Sequence, residues 1–574
     1  MNRLVLLLAL LLAILANLAV WALPNRPVLL EPPPGGKLRS ISFAPFHDGQ
    51  SPLTQIYPSL DQIDRDLRIV SEQVSGIRTY TSLEGMENVP ALARKHGLTV
   101  TMGAWLSSMA IKNELEITSL IKLANEYPDV IKRVIVGNEV LLRGDLSPAQ
   151  LAGYLDRVRH AIKQPVSTAD VWEYWLKFPQ MARSVDYLTI HLLPYWEDDP
   201  AGVDSAAERI LSAYRQIAAR FPGKPILVGE AGWPTAGRTR GPAVPGLVNK
   251  ARFDTMFVRM AREQGFDYNL IEAFDQSWKI KLEGTVGGKW GLYSTGRQPK
   301  YSLTKPVVED VRWPLKAALS IGLGLALLAL TVRKRPALPA ACAIVVSFAS
   351  QGLASAFVHA ADSGISWHYY IQDLLLAGGV LVLQAVLVPA ILLELVRLWS
   401  APVILHDADE PPEPEGLALA FWGGKAMTVL CAIAILWTAL LIFDGRYRDF
   451  PIAPFLIPAI GTLLLALCRA IRRPPGCDLA VALSASHLLD TFVQRAPGAD
   501  SRHSIVAVVM TVPVTVAFGL LPLLGAGGLV FHEGVVNREA ILWAILQAML
   551  ALPYLARLMA TFRGTEPLPP EKQL

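Results

Sequence analysis

Val134-Ile-Val-Gly-Asn-Glu139 and Ile226-Leu-Val-Gly-Glu-Ala-Gly-Trp-Pro-Thr235 decide the fold. Each is a short run of apolar, mostly β-branched residues that stops at a glycine and then places a glutamate. A buried parallel strand that hands one acidic side chain to the end of a barrel reads this way. Glu139 and Glu230 lie about three strand-helix units apart, at roughly 30 residues per unit. Strands three apart face each other across a closed eight-strand barrel. A single Gly-Asn-Glu run also suits any strand-to-helix loop, where Asn and Glu are common. It is the two runs in register that point to paired carboxylate chemistry.

Working outward from this pair, strand and helix signals alternate, which calls for parallel strands joined by helical crossovers. Strands are expected near Ser40–Ala44, Val74–Tyr80, Thr99–Ala104, Ile131–Gly137, Pro165–Thr168, Tyr187–His191, Ile226–Gly229 and Asn269–Phe274. Helices are expected over Asp61–Glu72, Glu114–Glu126, Ser147–Lys163, Val203–Phe221 and Asn249–Gln264, with Ser147-Pro148 as an N-cap followed by proline. The count and length fit a (β/α)8 TIM barrel over residues 38–313. Polar and aromatic residues gather just past the strand ends: Arg78, Asn138 with Glu139, Asp170 and Trp172, His191, Tyr195 and Trp196, Glu230 and Trp233, and Asp275, Trp278 and Lys279. In a barrel these positions converge on one face, where active sites are built. Indole faces pack on the C–H face of a pyranose, so the tryptophans suit a sugar polymer, although any one of them also suits core packing.

The chain has 574 residues, 52% of them hydrophobic, and a mean hydropathy of +0.35. That is too long for one domain and too apolar for an ordinary soluble enzyme. Residues 1–23 read as an N-terminal transmembrane anchor or signal, 24–37 as a linker containing Pro32-Pro-Pro-Gly-Gly36, 314–564 as an α-helical multi-span transmembrane region of about seven helices, and 565–574 as a tail. The spans are expected near 315–332, 337–358, 372–396, 417–443, 451–471, 504–531 and 540–562. Arg3, Arg333-Lys-Arg335, Arg397, Arg469, Arg472, Arg473, Arg495, Arg502, Arg557 and Arg563 fall on the side this count makes cytoplasmic, against a minority of Arg446, Arg448 and Arg538 on the opposite connectors, leaving the barrel outside. The acidic stretch His406 to Glu415 reads as a cytoplasmic loop. A net charge of +4 without a basic, aromatic-interleaved block argues against nucleic acid. The cysteines Cys342, Cys431, Cys468 and Cys477 all lie beyond the barrel, and no pair has metal-site spacing. No cofactor or metal is expected. The absence of a Rossmann or P-loop pattern in strand-helix context argues against a nucleotide-sugar donor.

Val136-Gly-Asn-Glu139, His191-Leu-Leu-Pro-Tyr-Trp196, Gly229-Glu-Ala-Gly-Trp-Pro-Thr235 and Glu272-Ala-Phe-Asp-Gln-Ser-Trp-Lys279 resemble, in order, the signature segments of glycoside hydrolase family 17, the β-1,3-glucan-active (β/α)8 enzymes. The resemblance implies Glu139 as acid/base and Glu230 as nucleophile, with Arg78, Asn138, Tyr195, Trp278 and Lys279 lining the sugar beside the cleaved bond. The plant enzymes have a shorter Tyr-Pro-Tyr-like run where this chain has His191 to Tyr195. The anchored, multi-span arrangement is similar to Gram-negative membrane proteins described as β-glucan synthases or glucan transglycosylases. It implies a bacterial inner membrane with the barrel on the periplasmic side.

Retaining cleavage needs one carboxylate to attack the anomeric carbon and one carboxylic acid to protonate the departing oxygen. Glu230 is then expected ionised, helped by Arg78 or Lys279, and Glu139 protonated, helped by desolvation and by the charge of Glu230. The reading favoured is remodelling of β-1,3-glucan by transglycosylation, forming β-1,6 or β-1,3 linkages. Endo- or exo-hydrolysis is one alternative, and a glucan-binding module on a transport or assembly protein is another. Expected partners are a β-glucan, the lipid bilayer and a separate glucan synthase.

Overall fold

The computed structural model describes residues 3–31, 36–302, 304–333, 338–366, 371–400, 414–443, 445–473, 475–484, 513 and 515–563. Most of the Pro32–Gly36 linker, most of the acidic stretch from His406, the tail from Thr565, and Arg335, Arg495 and Arg502 lie outside them. The chain divides into two compact units, Pro27–Glu309 and a second made of Met1–Arg26 with Asp310–Leu574.

In the first unit eight parallel strands close in sequence order: β1 (Ile41–Ser42), β2 (Gly76–Arg78), β3 (Thr99–Ala104), β4 (Ile131–Asn138), β5 (Val166–Val171), β6 (Leu188–His191), β7 (Ile226–Ala231) and β8 (Asp267–Leu270). The apolar runs supply the filling expected of strands covered on both faces, with Val134, Val136, Leu188, Ile190 and Val228 buried. The crossover after β4 runs over Pro148–Ala161, and Ser147 and Gln150 exchange the two hydrogen bonds of a capping box.

Two differences from the sequence reading have physical causes. The last strand was expected to reach Phe274, but the chain leaves the barrel after Leu270, and Phe274 bridges Tyr293 instead. The first unit also begins earlier than residue 38, because Val28 pairs antiparallel with Val307 through hydrogen bonds of 2.8 and 2.9 Å.

Among the described residues of the second unit, seven helices are long and apolar enough to cross a membrane: Trp313–Val332, Ala340–Gly364, Ile371–Trp399, Ala418–Phe443, Ile452–Arg472, Val516–Glu533 and Arg538–Ala560. The N-terminal helix Arg3–Ala22 packs with them through polar groups. Asn17 Nδ2 donates to Gln351 Oε1 at 2.8 Å, Ser320 Oγ to Asn17 Oδ1 at 2.9 Å, and Trp21 Nε1 to Ser320 Oγ at 3.1 Å. Small polar side chains satisfying one another is the usual way helices are joined where water is absent. The four cysteines are free thiols of this unit.

Candidate active site

The glycine before each glutamate shapes the site. Gly137 has φ +85°, and an added Cβ would stand 2.6 Å from Val140 Cγ2. A left-handed residue here turns the chain out of β4, so that Asn138 still pairs with Ala169 while Glu139, itself at φ 52°, leads into the one-turn helix Val140–Arg143. Gly229 makes room rather than a turn. A Cβ there would meet Thr189 Cγ2 at 2.4 Å and crowd Arg78 and His191. Its carbonyl oxygen accepts from Arg78 Nη1 at 2.7 Å.

Around these glycines β2, β4, β6 and β7 bring four side chains together. An oxygen of Glu139, a ring nitrogen of His191 and an oxygen of Glu230 lie within 4.8 Å of one another. His191, fully buried, spans the two carboxylates: Nδ1 is 2.7 Å from Glu139 Oε1 and Nε2 is 3.6 Å from Glu230 Oε1. Arg78, also buried, donates to Asn138 Oδ1 at 2.5 Å and to Glu230 Oε1 at 3.5 Å, and Tyr80 O–H donates to the same Glu230 oxygen at 2.8 Å. A carboxylate, an imidazole and a second carboxylate are also metal-ligating types. Here, however, the Arg78 guanidinium already places a positive charge 3.4 Å from His191 Nε2. The donor set therefore fits a hydrogen-bonded carboxylate pair better than a cation.

One electrostatic expectation is corrected. Burial does push the Glu139 carboxyl up, but the hydrogen bond from His191, together with the charges of Arg143 and Arg78, outweighs it and holds the group below its usual range. Lys279 does not pair with Glu230. Its Nζ meets Glu272 Oε2 at 3.1 Å and Oε1 at 3.3 Å.

Other expected site residues divide by exposure. Trp172, Trp196 and Trp278 are partly exposed. Trp196 stacks on Trp290 at 6.3 Å with Arg240 5.3 Å from its ring, and Trp278 stands edge-on to Phe46. Tyr195 and Trp233 are fully buried, their polar atoms donating to the carbonyls of Arg238 and Val244. Asp275 is buried against Lys300 at 2.7 Å and accepts from Gly291 N–H. Asp170 is buried too; it accepts from the N–H groups of Leu141, Leu142 and Val171, which steadies the turn after Glu139. Burial, together with the charge of Glu139, pushes its carboxyl up to about 6 against the pull of His191.

Arg143 and Glu283 are absent from the residues singled out by sequence, while Tyr80, past the end of its strand, and Glu272, in a signature segment, were given no role there. Tyr80 was legible as the residue two positions past Arg78, on the same side of an extended segment. Arg143 and Glu283 carried no signal, because each follows a turn whose geometry the sequence does not specify.

Residues 40–291 match the family model described as the BtgE/BtgC glycoside hydrolase domain. The barrel is similar to that glycoside hydrolase domain. The curated protein named "Probable glucan endo-1,3-beta-glucosidase btgC" from Aspergillus clavatus is 29% identical to the chain over 291 residues, 45% of this chain and 41% of that protein. "Glucan 1,3-beta-glucosidase" of Arthroderma benhamiae is 27% identical over 268 residues, 42% of this chain and 84% of that protein. The chain thus spans about two fifths of the length of the first of these relatives. Among solved structures, the glycoside hydrolase family 17 β-1,3-glucanosyltransferase from Rhizomucor miehei is 26% identical, with a TM-score of 0.41, over 46% of this chain and 97% of that one. The similarity to all three is confined to about half of the chain, which for the family model is the glycoside hydrolase domain.

Proposed function

We propose that the chain is a membrane-bound, retaining β-1,3-glucan-active enzyme that remodels its substrate by transglycosylation. The observation carrying this reading is the approach of Glu139 and Glu230 to within 4.8 Å across the mouth of the barrel. Retaining glycosidases hold their carboxyl groups roughly 5 to 5.5 Å apart, whereas inverting ones need about 6.5 Å or more to admit a water. The names of the relatives support β-1,3-glucan as the substrate class.

In the first step Glu230 attacks the anomeric carbon while Glu139 protonates the departing oxygen. Both hydrogen-bond donors to Glu230, Tyr80 and Arg78, meet Oε1, which leaves Oε2 for attack. In the second step Glu139, now a carboxylate, takes the proton of the incoming hydroxyl. Water as acceptor gives hydrolysis, and a glucan hydroxyl gives transfer. Trp172, Trp196 and Trp278 offer the partly exposed aromatic surface for the chain of sugars. The helical unit spans the bacterial inner membrane and holds the barrel on the periplasmic side.

The test uses the full chain in detergent with end-labelled laminari-oligosaccharides, products being resolved by mass and linkage. Products longer than the substrate, with the β-anomer formed first, are expected. Glu139→Gln lowers turnover by roughly 10²- to 10⁴-fold, and Glu230→Gln abolishes it. Exclusively shorter products replace transfer by hydrolysis, and α-anomer at early times overturns retention. Full activity in Glu230→Gln removes the enzymatic reading altogether.

A further inference from the structure

Resting on that reading, we propose that His191 is a positioning residue that decides which oxygen of Glu139 carries the transferable proton. Arginine only donates hydrogen bonds, and Arg78 Nη1 lies 3.4 Å from His191 Nε2 while also donating to Gly229 O at 2.7 Å. Nε2 therefore faces a donor, and the N–H that the ring offers lies on Nδ1. That N–H points at Glu139 Oε1, 2.7 Å away. Register makes the arrangement rigid: His191 pairs with Val171 on one side and with Glu230 on the other, and its side chain has no exposed surface.

With Oε1 occupied by an N–H donor, an acidic proton on Glu139 sits on Oε2. Among the described residues, every side-chain hydrogen bond to the Glu139 carboxylate falls on Oε1. The side chain of Glu139 is 25% exposed against 7% for Glu230, so a reachable edge remains for the sugar. As the glycosidic C–O bond breaks, its electron pair stays on the departing oxygen, which takes the Oε2 proton, and Glu230 Oε2 supplies the pair for the new bond to carbon. The charge left on Glu139 is then held by the His191 N–H without any change of tautomer. In the second step the acceptor's proton returns to Oε2, and Glu230 leaves with the electron pair. His191 thus strengthens Glu139 as an acid and keeps it ready as a base.

The titratable and charged groups around this pair are Arg78 and Tyr80 from β2, Arg143 beyond β4, Asp170 on β5, Glu230 on β7, and Lys279 and Glu283 beyond β8. None of these groups shares a side-chain hydrogen bond with the Glu139 carboxylate among the described residues, whereas His191 does. Removing it therefore lets burial raise the Glu139 carboxyl, and the alkaline limb of kcat/KM, which follows the free enzyme's acid, moves to higher pH.

The experiment compares His191→Phe, His191→Leu and His191→Asn with the wild type as full chains in detergent. One substrate is a laminari-oligosaccharide. The other is an aryl laminarioside whose dinitrophenolate leaves without a proton. For Phe or Leu, the loss in kcat/KM on the oligosaccharide exceeds the loss on the aryl substrate by about tenfold or more, and the alkaline limb on the oligosaccharide rises by about half a pH unit or more. Asn, which keeps an N–H near Nδ1, recovers part of both effects. Equal losses on the two substrates, or a limb that stays put or falls, overturn the inference. A wild type that turns over neither substrate overturns the proposed function instead, so the two failures are distinct. Should the Phe variant not fold, the Leu and Asn variants still decide between the outcomes.

Discussion

Asp170 shows how a single side chain near the pair can be structural and still respond to pH. Its carboxyl accepts three backbone N–H groups yet is pushed from 3.8 up to about 6, because burial outweighs those bonds and the pull of His191. A carboxyl raised on folding contributes stability that is fully present below its unfolded value and is lost as pH rises through the folded one. The window here is about pH 4 to 6, and the shift corresponds to about 3 kcal/mol as an order of magnitude. Asp170→Asn cannot titrate. The stability difference between wild type and Asp170→Asn, followed by tryptophan fluorescence during urea unfolding of the full chain, is expected to move against the wild type by about that amount between pH 4 and 7. A difference independent of pH would mean that Asp170 ionises as freely in the fold as outside it.

At the scale of elements, the turn at the end of β4 carries the geometry of the pair. Gly137→Ala puts a methyl group into Val140 Cγ2 and forces an L-residue to hold φ +85°. Left-handed strain of about 1 to 3 kcal/mol is expected, together with a displaced Glu139, so kcat falls by more than the stability loss explains. Measuring kcat well below the melting temperature separates the two. An alanine variant with normal kcat would show that Glu139 is placed by Asp170 and His191 alone.

The same element explains what the sequence could and could not reveal. Val134 to Val136 and Ile226 to Val228 are apolar because both faces of a parallel strand are covered, so strand, glycine and glutamate could be read directly. The left-handed Glu139 and the His191 bridge could not, since both depend on neighbouring strands aligning Glu230 with His191. Asp275, Tyr195 and Trp233 also follow strand ends, but their turns carry them inward, to Lys300 and to backbone carbonyls. Position past a strand fixes the end of the barrel, not the direction of the side chain. The Glu139 carboxyl differs from expectation for the same reason. Its hydrogen bond to an imidazole 52 residues away in sequence is a tertiary fact.

On the scale of the whole molecule, the proposed membrane placement rests on charge at the ends of the apolar helices. Lys and Arg stay on the cytoplasmic side of short connections, and Arg333 directly follows the span Trp313–Val332 while Arg472 ends Ile452–Arg472 and Arg473 follows it. On the proposed placement the barrel, on the other side of the first of these spans, is periplasmic. The thiols make this measurable: Cys342, Cys431 and Cys468 are buried and only Cys477 is partly exposed, so a Cys477→Ser background is quiet towards an impermeant maleimide. In that background Lys112→Cys, on an exposed site of the barrel, and Arg333→Cys report opposite sides. In cells with a permeabilised outer membrane and an intact inner one, Lys112→Cys is expected to label at once and Arg333→Cys only after lysis. The reverse pattern would put the barrel in the cytoplasm, where an extracytoplasmic glucan cannot reach Glu139 and Glu230. Labelling of both before lysis would mean that the Trp313–Val332 helix does not cross the bilayer.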